Sequence, residues 1–414
     1  MNTFNRLLLR CTRLWFFFTI VTIPFSLTYI TVHPFALSYL NVISVIFILL
    51  TSACLATGCI HYKPVNDRSL IVLCGLLFLV IVYAIPFTHP LRNWVGFGVS
   101  RLGQPFLVGF ASYQLLANKV IKVEEIIKAL FYSLIPLCIG GLLQLVDILP
   151  HRDPTRITVL YSFANTFARY VDILLTLSLF WLLFSGSKAT YLRISLWVAG
   201  GFLLLTTISY NGVVSLVLAF GITFLLLPKQ FRRAQYWLYS IGIAVTLLVA
   251  SQVQHLPKWH MSINDSRVTR LEFWKVATMS IKDHFWTGIG IKGWETQYPQ
   301  LVVKYAHGPI LSRVSMQPHN VFLDSFLKAG LPGFIIITAL LIWPIVKGYQ
   351  LFRRAPTLQN GGWFGLSIFT YGVAMLLFGI IDDPIWSDDT IPLLFILYFA
   401  VSYELCRIQK KEKA

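Results

Sequence analysis

Gln317-Pro318-His319-Asn320 marks the point where a long polar interval, residues 251–320, gives way to an apolar run of membrane-spanning length. Another such run precedes the interval, so a polar segment lies between two predicted spans. In so hydrophobic a chain this segment is expected to carry the function. Its excess of basic residues suits an anionic substrate held at a membrane surface. The cations include Arg267, Arg270, Lys275, Lys282, Lys292, Lys304 and Arg313, against the acids Asp265, Glu272, Asp283 and Glu295.

Composition predicts an all-α polytopic membrane protein. Hydrophobic residues make up 56% of the chain and charged residues 12%, which excludes an ordinary soluble domain. The first apolar run, Leu14–Val32, has no A-x-A site after it and is interpreted as an uncleaved span. The six cysteines lie in or beside apolar runs, so neither a disulfide framework nor a metal site is predicted, and no cofactor is expected. Basic residues are scattered over the loops, which favours membrane lipids over nucleic acid as partners.

Hydropathy predicts about twelve transmembrane helices, centred near residues 23, 48, 77, 106, 136, 171, 198, 218, 243, 333, 371 and 398. A cytoplasmic N-terminus places every strongly basic short connection, and the basic C-terminal tail, on the inner side. The predicted organisation is therefore spans 1–9 in residues 1–251 and one large, partly helical external loop in residues 252–318. Spans 10–12 and a cytoplasmic tail follow in residues 319–414.

The sixth predicted span carries Asn165, Arg169 and Asp172 on one helical face. Ionisable groups are costly at membrane depth, so these side chains should face the bundle interior or a wet cavity. Arg169 either lines a substrate site or pairs with Asp172 and locks the helix packing. Just before this span, Arg152 and Arg156 either clamp a phosphate through bidentate hydrogen bonds or anchor the chain at the interface.

A helix is predicted to begin at residue 265 or 266, because a capping residue precedes apolar residues at helical spacing. Arg267, Arg270 and Trp274 then share one side, which predicts a cationic and aromatic wall for a sugar pyrophosphate. The alternative is an amphipathic helix lying on lipid headgroups. The G-x-G-x-x-G string at residues 288–293 has no preceding strand and is interpreted as a turn that ends the helix.

His319 opens the tenth predicted span beside Asn320. An imidazole at the membrane edge can act as a base toward a sugar hydroxyl, although a lone histidine at a helix start is more often a polar interface residue. The acidic turn of residues 382–389 could hold a sugar acceptor, orient a histidine or coordinate a weak cation. Its alternative is a solvated turn between spans.

An ordered set of segments resembles the O-antigen ligase and O-antigen polymerase superfamily over roughly residues 195–400. The segments are Thr269-Arg-Leu-Glu-Phe-Trp-Lys275, Asp283-His-Phe-Trp-Thr-Gly-Ile-Gly290, His319-Asn320-x-x-Leu323 and Gly330-x-x-Gly333. Gly379-Ile-Ile-Asp-Asp-Pro-Ile-Trp386, followed by Ile391-Pro392, is more similar to the ligase branch. The resemblance implies a metal-independent glycosyltransferase of the bacterial inner membrane. Its members transfer a glycan from undecaprenyl pyrophosphate, on the periplasmic side, to a sugar hydroxyl of the lipid A core or of a second lipid-linked glycan.

The resemblance also implies roles for particular residues. Arg270 matches the loop arginine that binds pyrophosphate, and His319 matches the histidine beside the reacting centre. The superfamily has a further arginine where this chain reads Ser209-Tyr-Asn-Gly212. Arg169 or Arg152 is expected to supply the missing charge in space. Fixed arginines can neutralise a departing pyrophosphate, and direct attack at the anomeric carbon predicts inversion. A lipid-linked glycan transporter is the alternative from another class, but it gives no reason for the large external loop.

Overall fold

The computed structural model describes residues 3–23, 29–32, 35–149, 159, 164–184, 190–207, 209–227, 266–305, 310, 312, 315, 317–355, 357, 361–383 and 390–413. Within these residues the chain is predominantly helical, as predicted. The helices are α1 (Thr3–Thr22), α2 (Tyr39–Ala56), α3 (Arg68–Tyr83), α4 (Leu91–Phe97), α5 (Gln104–Ala117), α6 (Val123–Tyr132), α7 (Leu134–Leu145), α8 (Ala164–Phe184), α9 (Thr190–Thr206), α10 (Tyr210–Leu226), α11 (Ser266–Asp283), α12 (Gly293–Tyr305), α13 (Val321–Arg354), α14 (Trp363–Ile381) and α15 (Thr390–Lys413).

A short antiparallel hairpin departs from the predicted all-α structure. Strands β1 (Tyr29–Val32) and β2 (Phe35–Ser38) pair Tyr29 with Ser38 and Val32 with Phe35. This hairpin occupies the end of the predicted first span, Leu14–Val32, so that boundary is wrong. Helix α1 ends at Thr22, shortly before Pro24 in the sequence, and a proline ring disrupts the hydrogen bonding of a continuing helix.

Six helical segments of the described chain are long and apolar enough to cross a membrane. They comprise α3, the consecutive helices α6 and α7, α8, α13, α14 and α15, while α2, α9 and α10 are shorter apolar helices. These helices support a multi-pass membrane protein. The total of twelve spans stays a prediction, and the span expected near residue 243 lies outside the described residues.

Burial distinguishes the centre of the helix bundle from its edge. In α8, 83% of the most apolar window is buried, against 28% in α3. Helix α14 contacts α8, α10 and α13, and α15 packs along α5. The bundle centre therefore contains α8 and α14, and the outward face of α3 is open and apolar.

Asp67 joins three helices at one end of the bundle. Its carboxylate caps α3 by accepting hydrogen bonds from the N–H groups of Ser69 and Leu70. It also accepts a hydrogen bond from Ser402 Oγ at 3.1 Å and lies 3.7 Å from Lys347 Nζ. The start of α3 and the C-terminal halves of α13 and α15 thus meet.

Helices α11 and α12 pack around a small apolar cluster of their own. Phe273 and Val276 of α11 contact Trp294, Tyr298 and Val302 of α12, and all five side chains are buried. The prediction of a helix beginning at residue 265 or 266 is confirmed, because α11 begins at Ser266. The described part of the polar interval therefore contains a packed helical unit.

Helix α13 is broken within its first third. Ala329 (φ −148°, ψ 25°) and Gly330 (φ 62°, ψ −156°) depart from helical geometry, which leaves a short segment, residues 321–328, before the long one. The apolar run predicted as one span centred near residue 333 therefore begins its long helix only at Leu331. Pro332 is the second residue of this long helix, within the first turn, where its missing N–H is tolerated.

The turn after α11 docks against this break. Ile289 N–H donates to Leu327 O at 2.6 Å, and Leu331 N–H donates to Phe285 O at 2.9 Å. Gly288 and Gly290 have φ of 65° and 85°, a region that favours glycine. The prediction that this glycine string is a turn is confirmed.

Candidate functional site

His319 lies in the connection immediately before α13, with a left-handed backbone φ of 52°. Its ring stacks on Phe273 of α11, with ring centroids 6.1 Å apart and an interplanar angle of 19°. Its Nδ1 lies 3.2 Å from Asp382 Oδ1, at the end of α14. The imidazole is therefore held by two other elements while its side chain stays 30% exposed.

Asp382 organises the residues around this imidazole. Its Oδ1 accepts hydrogen bonds from Asp383 N–H at 2.9 Å and from Gln317 Nε2 at 3.4 Å. Burial raises the pKa of the Asp382 carboxyl, but the hydrogen bond with His319, the charges of His319 and Arg270 and the Asp383 N–H hold that pKa below its usual value. An ionised carboxylate only accepts hydrogen bonds, so it fixes the imidazole proton on Nδ1. In the neutral ring, Nε2 then has a lone pair that can accept a proton.

Two arginines from different helices reach the backbone on either side of Asp382, at the end of α14. Arg270 of α11 donates from Nη1 to Ile381 O at 3.3 Å, and Arg169 of α8 donates from Nη1 to Asp383 O at 2.9 Å. Arg169 is only 4% exposed. Among the described residues, Arg270 makes this one hydrogen bond, although a guanidinium has five N–H donors. Its remaining donors can therefore bind an anionic group beside His319.

Asn320 and Trp274 fix the backbone on either side of His319. The Asn320 carbonyl oxygen caps α13 by accepting from the N–H groups of Phe322 and Leu323, and its Nδ2 donates to Ile380 O at 2.8 Å. Trp274 Nε1 donates to Pro318 O at 3.0 Å. Both side chains, predicted as substrate contacts, thus make hydrogen bonds that position the histidine.

Arg169 and Asp172 have different partners, although they share a helical face. Asp172 accepts a hydrogen bond from Ser215 Oγ of α10 at 2.9 Å, and within the described part of the chain no ion pair joins it to Arg169. A Cβ placed on Gly212 would lie 3.3 Å from the Cβ of Ala168. The segment in which the superfamily's arginine is missing therefore packs beside the residue preceding Arg169.

Several predicted site residues lie outside the described residues or have side chains that are not described. Arg152 and Arg156 fall outside the described residues, as does the acidic turn beyond residue 383. Arg267 lies on α11, but its side chain is not described. No group of three or more metal-ligating side chains that could hold an ion occurs among the described residues.

The sequence reasoning did not place Asp382, Gln317 or Phe273 in the site. For Asp382 a signal existed, because orienting a histidine was one interpretation of the acidic turn. Gln317 belongs to the Gln-Pro-His-Asn string that ends the polar interval. Phe273 lies in a predicted helix, and its sequence pattern is only that of a core residue.

One comparison with known proteins bears on this site. Residues 194–338 match a family model described as O-antigen ligase, and no curated protein matches the chain. The predicted resemblance to the O-antigen ligase superfamily is thus confirmed over that segment, which contains Arg270 and His319. Arg169 and Asp382 lie outside it, so their place in the site follows from the fold. The resemblance was expected to reach about residue 400, and the match ends earlier.

Proposed function

We propose that this chain is an inverting glycosyltransferase that moves a glycan from undecaprenyl pyrophosphate to a sugar hydroxyl. The observation that carries the proposal is the His319–Asp382 contact beside Arg270, together with the O-antigen ligase match over the same segment. The expected site is the periplasmic face of the bacterial inner membrane, with both termini cytoplasmic. The acceptor is a lipid A-core sugar for a ligase or a second lipid-linked glycan for a polymerase.

The proposed reaction uses His319 as the general base. Its Nε2 takes the proton of the acceptor hydroxyl while that oxygen attacks the anomeric carbon of the donor. The bond from this carbon to the pyrophosphate oxygen breaks, and the electron pair leaves with undecaprenyl pyrophosphate. Because attack comes from the side opposite the leaving group, the anomeric configuration inverts. Asp382 stabilises the imidazolium that forms.

The two arginines neutralise the charge that develops on the leaving pyrophosphate. Preorganised cations in a partly dehydrated site can supply this stabilisation without a metal. Arg270 has N–H groups left for the phosphate oxygens. Arg169 approaches the same segment of α14 from α8, next to Ser209–Gly212. This placement supports the proposal that Arg169 replaces the missing arginine in space.

A deletion strain tests the function and separates its two branches. For a ligase, lipopolysaccharide should lose its whole ladder of bands while lipid-linked polymer accumulates. For a polymerase, a single repeat should remain on the core. Loss of the ladder with lipid-linked glycan stalled on the cytoplasmic side would indicate a transporter instead.

Arg270→Ala should abolish transfer while the protein still accumulates in the membrane, because the phosphate loses its guanidinium. Arg270→Lys should restore little, since an ammonium cannot form the bidentate pair. Transfer measured in membranes with the lipid-linked donor checks both variants. Lys275→Ala is the control, because it removes an exposed cation from the same helix and should leave the rate unchanged. Full activity in Arg270→Ala would remove this residue from the site.

Asp382→Asn should lower turnover about tenfold to a hundredfold, because a hydrogen bond to a charged group contributes about 1.5–3 kcal/mol. The carboxylate has a lowered pKa, so it stabilises the folded protein above the ordinary aspartate pKa of about 3.9. That contribution is lost as pH falls through the lowered folded-state value. The melting temperature of the parent should therefore exceed that of Asp382→Asn from pH 5 to 8. The difference between the two melting temperatures should disappear in stronger acid.

Asp283→Asn is the matched control for this substitution. Asp283 also has a lowered pKa, chiefly through its hydrogen bond with Lys304, but it lies at the end of α11, away from His319. Turnover should stay at the parental level in this variant. Equal losses in the two variants would show that Asp382 has no specific role.

A further inference from the structure

We infer that the turn after α11 binds the outer surface of the lipid bilayer through Phe285 and Trp286. Both side chains are exposed, Trp286 to 65%, and their rings meet edge to face with centroids 5.2 Å apart. The inference requires that the chain spans a membrane with its N-terminus on the inner side, and it does not depend on the proposed transfer reaction.

The exposed aromatic pair continues the lipid-facing surface of α3. Val72, Leu76, Leu79 and Tyr83 lie at helical spacing along this span and are all exposed, as expected for a face that contacts acyl chains. Tyr83 Oη donates to Trp286 O at 3.0 Å. The apolar stripe on α3 therefore ends at Tyr83, which contacts the backbone of the Phe285–Trp286 pair.

The distance along α3 places this pair at a membrane boundary. Asp67 marks the opposite end of the helix, where it meets Lys347. Tyr83 lies sixteen positions after Asp67, which corresponds to roughly 24 Å of helix at 1.5 Å per residue. A hydrocarbon core is about 30 Å thick, so Tyr83 and Trp286 lie near its outer edge.

The chemistry of the turn fits the interfacial region. Tryptophan and tyrosine are enriched at the level of lipid headgroups, where their rings meet both apolar and polar surroundings. Lys282 and Lys292 flank the pair and are exposed, and their amines can reach headgroup phosphates. The occupant of this surface is therefore a phospholipid headgroup region.

Binding of Phe285 and Trp286 to the bilayer would also fix the distance between the candidate site and the membrane surface. The same turn is joined to the break in α13 through Ile289 and Leu331, and the segment before that break leads back to His319. A lipid-bound turn would therefore hold α11, with Arg270, at a constant distance from the surface in which a lipid-linked donor is embedded.

Depth-dependent quenching tests the inference in the full-length chain. Two variants, Trp286→Cys and Val303→Cys, are made separately in a protein from which the six native cysteines have been removed. Each is labelled with a fluorescent dye at its single cysteine and reconstituted in nanodiscs. Lipids with a nitroxide near the headgroup should quench the label at 286 severalfold more than the label at 303. Val303 is the matched control because it is also 65% exposed but lies on α12. Equal quenching at both positions would overturn the inference.

A second measurement avoids the cysteine replacements. In nanodiscs with brominated phospholipids, bromine should quench the fluorescence of Trp286. This fluorescence is the difference between the emission of the parent and that of Trp286→Phe. The emission removed by Trp294→Phe should not be quenched, because Trp294 is 3% exposed within the cluster of α11 and α12. If bromine left the Trp286 emission unchanged, something other than lipid would cover this surface.

Discussion

His319→Ala should lower turnover by a factor on the order of 10²–10⁴, the range that a positioned general base contributes. The ring is held by Phe273 and Asp382, with Nδ1 toward the carboxylate, so the variant loses both the base and its orientation. The measurement is single-turnover transfer with purified donor lipid. Membrane accumulation of the variant, compared with the parent, shows that the protein still folds.

His319→Gln separates a base from a hydrogen-bonding residue. Glutamine can donate a hydrogen bond to Asp382 and to a substrate, but its amide is not a base near neutral pH. A loss close to that of His319→Ala supports general-base catalysis. If His319→Gln keeps near-parental rates, the base assignment is wrong and departure of the pyrophosphate must drive the reaction.

Gly330→Ala should prevent the turn after α11 from docking on α13. The backbone at φ 62° and ψ −156° is open essentially to glycine alone, and a Cβ there would overlap the carbonyl group of Trp286. Strain and overlap together are expected to cost about 3 kcal/mol or more. The expected result is a lower melting temperature in detergent and loss of transfer, because His319 and Arg270 lose their common support.

Gly75→Ala is the control for this substitution. Gly75 lies in α3, and a Cβ there would meet no atom within 4 Å. Its melting temperature should equal or exceed that of the parent, since alanine is the better helix former. If Gly330→Ala has the same melting temperature as the parent, the break in α13 does not support the docked turn.

Most helices that a local pattern of apolar residues can indicate were predicted from the sequence. Apolar runs of membrane length identified α3, α8, α14 and α15, and helical spacing identified α11. The break at Ala329–Gly330 was not predicted, because the apolar residues on its two sides predict one span, although Gly330 and Pro332 are signals of a break. The hairpin at residues 29–38 was missed for the same reason: its apolar residues read as the continuation of a span.

The candidate site was only partly accessible from sequence. Arg270 and His319 followed from the resemblance, which the family match supports. The contacts of Asp382 with His319 and of Asp383 with Arg169 join positions far apart in the chain, and no spacing pattern encodes such pairs. Trp274 stays a predicted substrate contact, and the hydrogen bond of its indole to Pro318 O was not predicted.

Transfer by the purified protein is the most direct test of the central proposal. The full chain in nanodiscs is supplied with undecaprenyl-pyrophosphate-linked glycan and a lipid A-core acceptor, or with donor alone for polymerisation. We expect acceptor-linked glycan and free undecaprenyl pyrophosphate to appear in equal amounts, with inverted anomeric configuration. Both products should disappear in Arg270→Ala. A parent protein that forms no more product than Arg270→Ala, or that moves the intact donor across the bilayer, would contradict the proposed function.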